Sequence, residues 1–170
     1  MGSDVNLAAQ RIDAARAAAA DNEFRLTLVN LLDAELAIRR LQLADARSLL
    51  ESVVRSGETD AGLRARAQWL IGETHFLQQN FAQAIEAYRR VEGIDASGVW
   101  VAASLIQAGK AFEQLGRTRD AAVCYWGLIN RFGNSSHVAM ARRRLAAIAP
   151  TPPSSAQPSP NQPNNPTIRR

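Results

Sequence analysis

The chain has 170 residues, 46% of them hydrophobic, and its 20 basic and 16 acidic residues give a net charge of +4. This length suits one domain with its own core, and the hydrophobic content excludes a chain that is disordered throughout. Nineteen of the basic residues are Arg, and both charge signs are mixed along the sequence. The positive charge therefore forms no basic stripe of the kind that binds nucleic acid.

The predicted elements are all helices. Ala, Leu, Arg, Gln and Glu dominate the sequence, and alternating runs of β-branched and aromatic residues are missing. We divide the chain into an alanine-rich N-terminal helix (1–22), a helical repeat region (23–149) and a disordered tail rich in Pro, Ser and Asn (150–170). Hydrophobic periodicity predicts helices near 4–20, 23–40, 43–55, 60–78, 81–91, 97–114, 118–131 and 135–148.

The N-terminal helix carries a thin apolar stripe. It consists of Val5, Ala8, Ile12, Ala15 and Ala19. The stripe predicts either a cap that packs on the first repeat or a coiled coil that oligomerises. Alanine at so many positions makes a weak coiled-coil seam, which favours the cap.

The middle region contains three versions of one unit, separated by steps of 38 and 37 residues. In each unit a small residue on a first helix is followed by a small and then a large residue on a second helix. These positions are Ala34, Ala46 and Leu50, then Gly72, Ala84 and Tyr88, then Gly109, Ala121 and Tyr125. A fourth half-unit places Ala146 at the same small position. Small residues let paired helices approach closely, and stacked pairs bury the apolar stripe that one pair leaves open.

A short turn joins the two helices of each unit. It carries Gln42, Asn80 or Gly116. Asn and Gly favour the left-handed backbone that closes a helix. The sequence therefore predicts the left-handed residue at these positions.

The pattern of small residue, aromatic, Gly/Asn turn, Ala and aromatic resembles tetratricopeptide repeats. The matching segments, within residues 27–149, include WLIGETHFLQQNFAQAIEAY and LIQAGKAFEQLGRTRDAAVCY. The resemblance implies an all-α, right-handed α-solenoid of about three antiparallel helix pairs, with an N-terminal helix and a C-terminal capping helix. Gln68 and Leu105 depart from the family, which has an aromatic four residues before the small position.

A narrower resemblance concerns bacterial cell-envelope members of this family. The phrases AQWLIGETHFLQQNFAQAIEAYRRV and LINRFGNSSHVAMARRRL look like repeats of the Tol–Pal accessory protein's C-terminal domain and of outer-membrane assembly lipoproteins. Those proteins are periplasmic binding modules. The sequence has no lipobox cysteine, no signal-peptide pattern in residues 1–10 and no apolar run of ~18–20 residues, so membrane insertion is not expected and the compartment stays open.

Signals for catalysis are weak. His75 and His137 lie far apart in the sequence and match no metal-ligand spacing. Cys124, the only cysteine, follows the pattern of a small buried hydrophobe. Nucleotide-binding loops and nucleophile elbows are missing. The sequence therefore predicts neither an enzyme nor a cofactor or metal site.

Binding signals are stronger, and they come from the resemblance. In this family the first helices line a concave groove, and carrying that over by position selects ten candidate partner-binding residues. They are Glu35, Arg39, Arg66, Trp69, Glu73, Phe76, Ile106, Lys110, Glu113 and Gln114. We expect the groove to take an extended or helical peptide with an apolar anchor and an acidic group. The alternative for Trp69 is packing under the N-terminal helix.

Two further features are predicted to be structural. Trp100 and Trp126 are expected in the core or between repeats, although an exposed one would mark a second contact surface. Successive positions of a helix are turned by about 100° from one another, so the arginines at 142–144 cannot form one compact patch. We expect them to make the capping helix soluble.

The hypothesis that follows is a protein-interaction adaptor whose partner is another protein or a peptide segment. The alternative is an assembly module that self-associates through its N-terminal helix or docks in a larger complex. Nucleic acid is not an expected partner.

Overall fold

The computed structural model describes residues 2–96 and 98–148, with side chains from residue 6 onward. Within these ranges the chain forms helices and no strand, so the all-α prediction is confirmed. The predicted tail at 150–170 lies outside the described residues. The helices are α1 (Gly2–Ala18), α2 (Glu23–Arg39), α3 (Leu43–Arg55), α4 (Ala61–Leu77), α5 (Phe81–Ile94), α6 (Val99–Gln114), α7 (Thr118–Arg131) and α8 (Val138–Ile148).

Each helix packs on the next, and short turns make neighbours antiparallel. Three pairs result (α2 with α3, α4 with α5, α6 with α7), flanked by α1 and α8. The first helices α4 and α6 also contact each other, whereas the second helices α5 and α7 contact each other much less. We call the surface formed by α2, α4, α6 and α8 the first-helix face. The second-helix face, formed by α3, α5 and α7, has grooves between its helices.

The predicted register holds inside the pairs. The ring of Tyr88 lies directly over Gly72, and that of Tyr125 over Gly109, so close that a Cβ at either glycine would overlap the ring. In the first pair, fully buried Ala34 shares a core cluster with Leu50. A large ring on the second helix thus requires glycine on the first, whereas the smaller leucine leaves room for alanine.

The left-handed residues of the turns lie one position earlier than predicted in two of the three units. They are Leu41 and Gln79, each with φ 60°, and Gly116, with φ 69°. Gln42 and Asn80 have φ −81° and −82° and precede the next helix. The prediction was wrong at these two positions because their amides instead donate to helix carbonyls five residues back.

The same backbone hydrogen bond occurs in every turn. It belongs to the Schellman motif that closes a helix. The donor–acceptor pairs are Gln42 to Ala37, Asn80 to His75 and Arg117 to Phe112, each 2.9 Å long. Leu41 and Gln79 therefore hold a backbone conformation that glycine adopts most easily.

At the N-terminal end, α1 packs on α2. Arg16 donates hydrogen bonds of 2.6 Å to Asn30 and to Asp33, and Ala19 is buried. Ala15, predicted in the apolar stripe, is exposed. The stripe instead runs through Arg16, which lies four residues after Ile12 on the same side of the helix.

At the C-terminal end, α8 packs on α7 through Val138 and Ala141. It begins three residues later than predicted, since the segment before it forms turns. Ala146, predicted at the small buried position, is exposed. Among the described residues no second helix follows α8 to cover that position as in the complete pairs.

Candidate functional site

The first-helix face is crossed by a row of polar bridges between successive first helices. In each bridge a carboxylate on one helix meets a donor on the next. The bridges are Glu35 with Arg66 (2.5 Å), Glu73 with Gln107 (2.6 Å) and Glu113 with Arg144 (2.8 Å). We call these six residues the polar ladder. The first bridge is an ion pair without hydrogen-bond alignment.

The hydroxyl groups of the two core tyrosines donate hydrogen bonds to carboxylates of the polar ladder. The hydroxyl of Tyr88 donates a hydrogen bond of 2.6 Å to Glu73, and the hydroxyl of Tyr125 donates one to Glu113. Burial, together with the neighbouring carboxylate, raises the pKa of both tyrosines far above its ordinary value. Both hydroxyls therefore stay protonated and donate at any physiological pH, which fixes the carboxylates in place.

Lys110 lies beside the ladder, 37 residues after Glu73 and thus at the equivalent position of the next unit. Its half-buried ammonium group interacts electrostatically with Arg144, Glu73 and Glu113. Burial and then Arg144 lower its pKa, while the two carboxylates act against this. Within the described part of the chain it makes no direct hydrogen bond or ion pair, so its donors are available to a ligand.

Two tryptophans form the apolar part of this face. The rings of Trp69 on α4 and Trp100 on α6 lie 5.2 Å apart, and the guanidinium carbon of Arg66 lies 5.8 Å from the centre of the Trp100 ring. Trp69 thus packs against α6, and the alternative that placed it under the N-terminal helix is wrong. Its indole nitrogen is buried and has no hydrogen-bond partner among the described residues.

The other predicted residues divide between surface and core. Arg39 and Gln114 are exposed. Phe76 is half-buried, with its ring 5.3 Å from that of Phe81. Ile106 is only 3% exposed and lies in the core with Tyr125. Its prediction as a contact residue is corrected: the next position, turned by about 100° around the helix, faces the ladder.

Sequence reasoning missed three residues of this face. Gln107 and Arg144 are ladder donors, and Trp100 completes the aromatic pair. The spacing of 37 between Gln107 and Arg144 repeats the unit length and could have paired them. The neighbouring Arg142 and Arg143 are exposed, so the three consecutive arginines point in different directions.

Trp126 does not lie where it was predicted. It is 53% exposed on the outer side of α7, beside the fully buried Tyr125. The core prediction is wrong for this residue because the adjacent helical position takes the place in the core.

The potentially reactive side chains are dispersed. Burial and Arg47 lower the pKa of His75, and burial raises the pKa of the Cys124 thiol to about 11. Among the described residues, no three His, Cys, Asp or Glu side chains gather where they could hold a metal ion. No described helix is both long and apolar enough to cross a bilayer. The chemistry on this face is charge pairing and aromatic contact.

Neither a protein-family profile nor a curated protein sequence matches the chain. The crystal structure of MamA is similar to it, with a TM-score of 0.65 and 17% sequence identity, over 86% of this chain and 78% of that one. This likeness confirms the TPR-like helical repeat fold. The narrower resemblance to cell-envelope proteins stays a prediction.

Proposed function

We propose that the protein is a non-enzymatic interaction module that binds a segment of a partner protein on its first-helix face. The observation that carries the proposal is the polar ladder beside the pair of Trp69 and Trp100. Its side chains are already held by intramolecular bonds, so binding requires little further ordering of them. Trp and Arg are the residue types that most often dominate binding energy.

The charges and aromatic rings of this face determine which side chains a partner segment should carry. Arg66 is balanced by Glu35, and Arg144 by Glu113. Lys110 and the exposed Arg39 have no ion pair among the described residues. The segment is therefore expected to place an acidic group at Lys110 and an apolar side chain beside the tryptophans, as the sequence resemblance implies.

The experiment places a photo-reactive benzoylphenylalanine at one of two exposed sites in the living host cell. Gln114 lies on the first-helix face, and Glu86 lies on the second-helix face as its control. We expect Gln114 to cross-link a partner protein and Glu86 to leave that partner unlinked. Cross-linking of the same partner from Glu86 alone, or from neither site, would contradict the proposal.

A charge reversal then tests the acidic contact. Lys110→Glu should weaken binding of the cross-linked partner, and Lys110→Arg should keep it because the positive charge remains. Circular dichroism must show that both variants fold. Trp69 is unsuitable for this test, since it packs on Trp100 and its loss would disturb the stacking of α4 and α6. Equal binding by Lys110→Glu would exclude the contact.

A second candidate function is assembly through self-association at the N-terminal helix. The observation that favours it is a groove of about 400 Å³ between α1 and α2, where Leu7 and Leu32 are 48% and 57% exposed. Exposed apolar side chains that lie together often mark contact surfaces. Sedimentation equilibrium tests it: a dimer that Leu32→Lys dissociates supports assembly, and a wild-type monomer at high concentration excludes it.

A further inference from the structure

The second-helix face has two grooves at equivalent positions of the repeat. The first, of about 590 Å³, lies between α3 and α5 above α4. The second, of about 360 Å³, lies between α5 and α7 above α6. Four equivalent positions, 37 residues apart, differ in chemistry between them. They are Gln68, His75, Glu86 and Arg90 in the first groove, and Leu105, Phe112, Val123 and Gly127 in the second. We call these the polar groove and the apolar groove.

The wall of each groove shows the contrast most directly. On α5, Glu86 and Arg90 form an ion pair of 3.6 Å that faces solvent. On α7, the same positions hold Val123, which is 70% exposed, and Gly127. Trp126, one turn along α7 from Val123, is also exposed. This wall therefore presents apolar surface to solvent where the equivalent wall presents charge.

Gly127 is not required by the fold. Glycine inside a helix destabilises it relative to alanine. A Cβ at Gly127 would meet only Leu105, at an ordinary contact distance of 3.9 Å. Because Gly127 has no side chain, the wall of the apolar groove is lower at this position.

Ser104 gives the floor of this groove an unsatisfied polar group. Its side chain is 4% exposed, and its hydroxyl has no hydrogen-bond partner within the described residues. The equivalent position in the preceding unit is Ala67, which is fully buried. A buried hydroxyl without a partner destabilises a protein, because it has lost its hydrogen bonds to water. An occupant of the groove that reaches this hydroxyl with a polar group would relieve that penalty.

The charges around the apolar groove determine which occupant fits. Arg131 on α7 pairs with Glu92 on α5 at 2.5 Å, and this ion pair bridges the groove between its two walls. Arg89 also lines the groove and has no ion pair in the described part of the chain. One positive charge is thus left uncompensated, and it favours an acidic occupant.

We propose that the apolar groove is a second docking site, which takes one large apolar side chain of a partner protein's segment together with an acidic side chain beside Arg89. Its volume lies near the lower end of the roughly 300–1,000 Å³ typical of ligand pockets, which suits a single anchor. The site faces away from the polar ladder, so both faces of the protein can be occupied at once.

The test selects peptides from a phage-displayed random library on the wild-type protein and measures their binding by fluorescence polarisation. The groove variant is Val123→Glu with Gly127→Arg, which copies the ion pair of the polar groove. The control is Glu86→Gln with Arg90→Gln at the equivalent positions. Selected peptides should combine a large apolar residue with Asp or Glu. They should bind the groove variant about tenfold or more weakly and bind the control normally.

Two further variants keep the outcome decisive. Val123→Glu alone should leave the fold intact, since Val123 is 70% exposed, and it should weaken binding of the same peptides. Arg89→Glu should shift the preference of the peptides from acidic to basic residues. A selection in which no peptide depends on Val123, Gly127 or Arg89 for binding would overturn the proposal. So would a wild-type dimer that the groove variant dissociates, because a second copy would then be the occupant.

Discussion

The second and third helix pairs share one close contact in their interior and have different surfaces. Gly72 under Tyr88 and Gly109 under Tyr125 repeat one packing solution. Outside that core, the ladder position changes from Glu73 to Lys110, and the groove wall changes from an ion pair to apolar residues. The interior repeats because paired helices must approach to a fixed distance. The surface has no such constraint, and the side chains exposed on each unit therefore differ.

The largest expected effect comes from adding a methyl group where the shared contact leaves no room for one. Gly72→Ala should lower the free energy of unfolding by about 3 kcal/mol, since the new methyl group overlaps the ring of Tyr88. Gly127→Ala is the matched control. It meets only Leu105, and it should be neutral or stabilise the helix by up to about 1 kcal/mol. Urea denaturation measures both variants.

A compensating change sharpens this result. The first pair combines Ala34 with Leu50, so Gly72→Ala with Tyr88→Leu should be more stable than the sum of the two single variants predicts. An additive double variant would show that the overlap of methyl group and ring is not the cause. Equal changes in stability at Gly72 and Gly127 would show that the close approach of the Tyr88 ring does not determine the effect at Gly72.

This interior is the part that could be predicted from the sequence. Steric exclusion between a glycine and a ring depends only on residue size and spacing, and both can be read along the chain. The left-handed residues were less predictable, since Leu41 and Gln79 carry no side-chain signal for that backbone conformation. Their position follows from the hydrogen bonds that close the helices.

The candidate site was predictable in outline only. Which side chains meet across two first helices depends on how far each helix is rotated, and a shift of one position turns a side chain by about 100°. Ile106 was therefore selected where Gln107 bridges to Glu73. The exposure of Trp126 depends on the same rotation, because Tyr125 beside it occupies the core.

An intermediate effect is expected where the interior meets the surface. Glu73 accepts hydrogen bonds from both Tyr88 and Gln107. Glu73→Gln removes the charge that strengthens these bonds and should lower the free energy of unfolding by about 1–2 kcal/mol. Glu86→Gln, at an exposed ion pair, should lower it by less than about 0.5 kcal/mol. Thermal denaturation that finds equal losses would show that the ladder does not stabilise the stacking.

A smaller effect of opposite sign is expected at the turns. Leu41→Gly should stabilise the protein by about 1 kcal/mol, because glycine adopts a φ of 60° without steric conflict. The leucine side chain is 73% exposed, so its removal loses little packing. Gly116→Ala is the reciprocal control and should destabilise the third turn by a similar amount. If urea denaturation shows that Leu41→Gly is destabilised, its side chain contributes more than its backbone strain removes.

The smallest expected effect is on the pH dependence of stability, and it concerns a position at which the two grooves differ. His75 stands in the polar groove where Phe112 stands in the apolar one. Burial and Arg47 lower the pKa of His75 below its ordinary 6.5, so the unfolded chain takes up this proton before the folded chain does. The contribution of neutral His75 to stability is complete above pH 6.5 and is lost as the pH falls through the folded pKa.

His75→Phe removes this titration and keeps that of every carboxylate. The difference in unfolding free energy between wild type and variant should therefore stay constant above pH 6.5 and shift in the variant's favour below it. Curves that remain parallel from about pH 8 to 5 would assign the acid response to other groups.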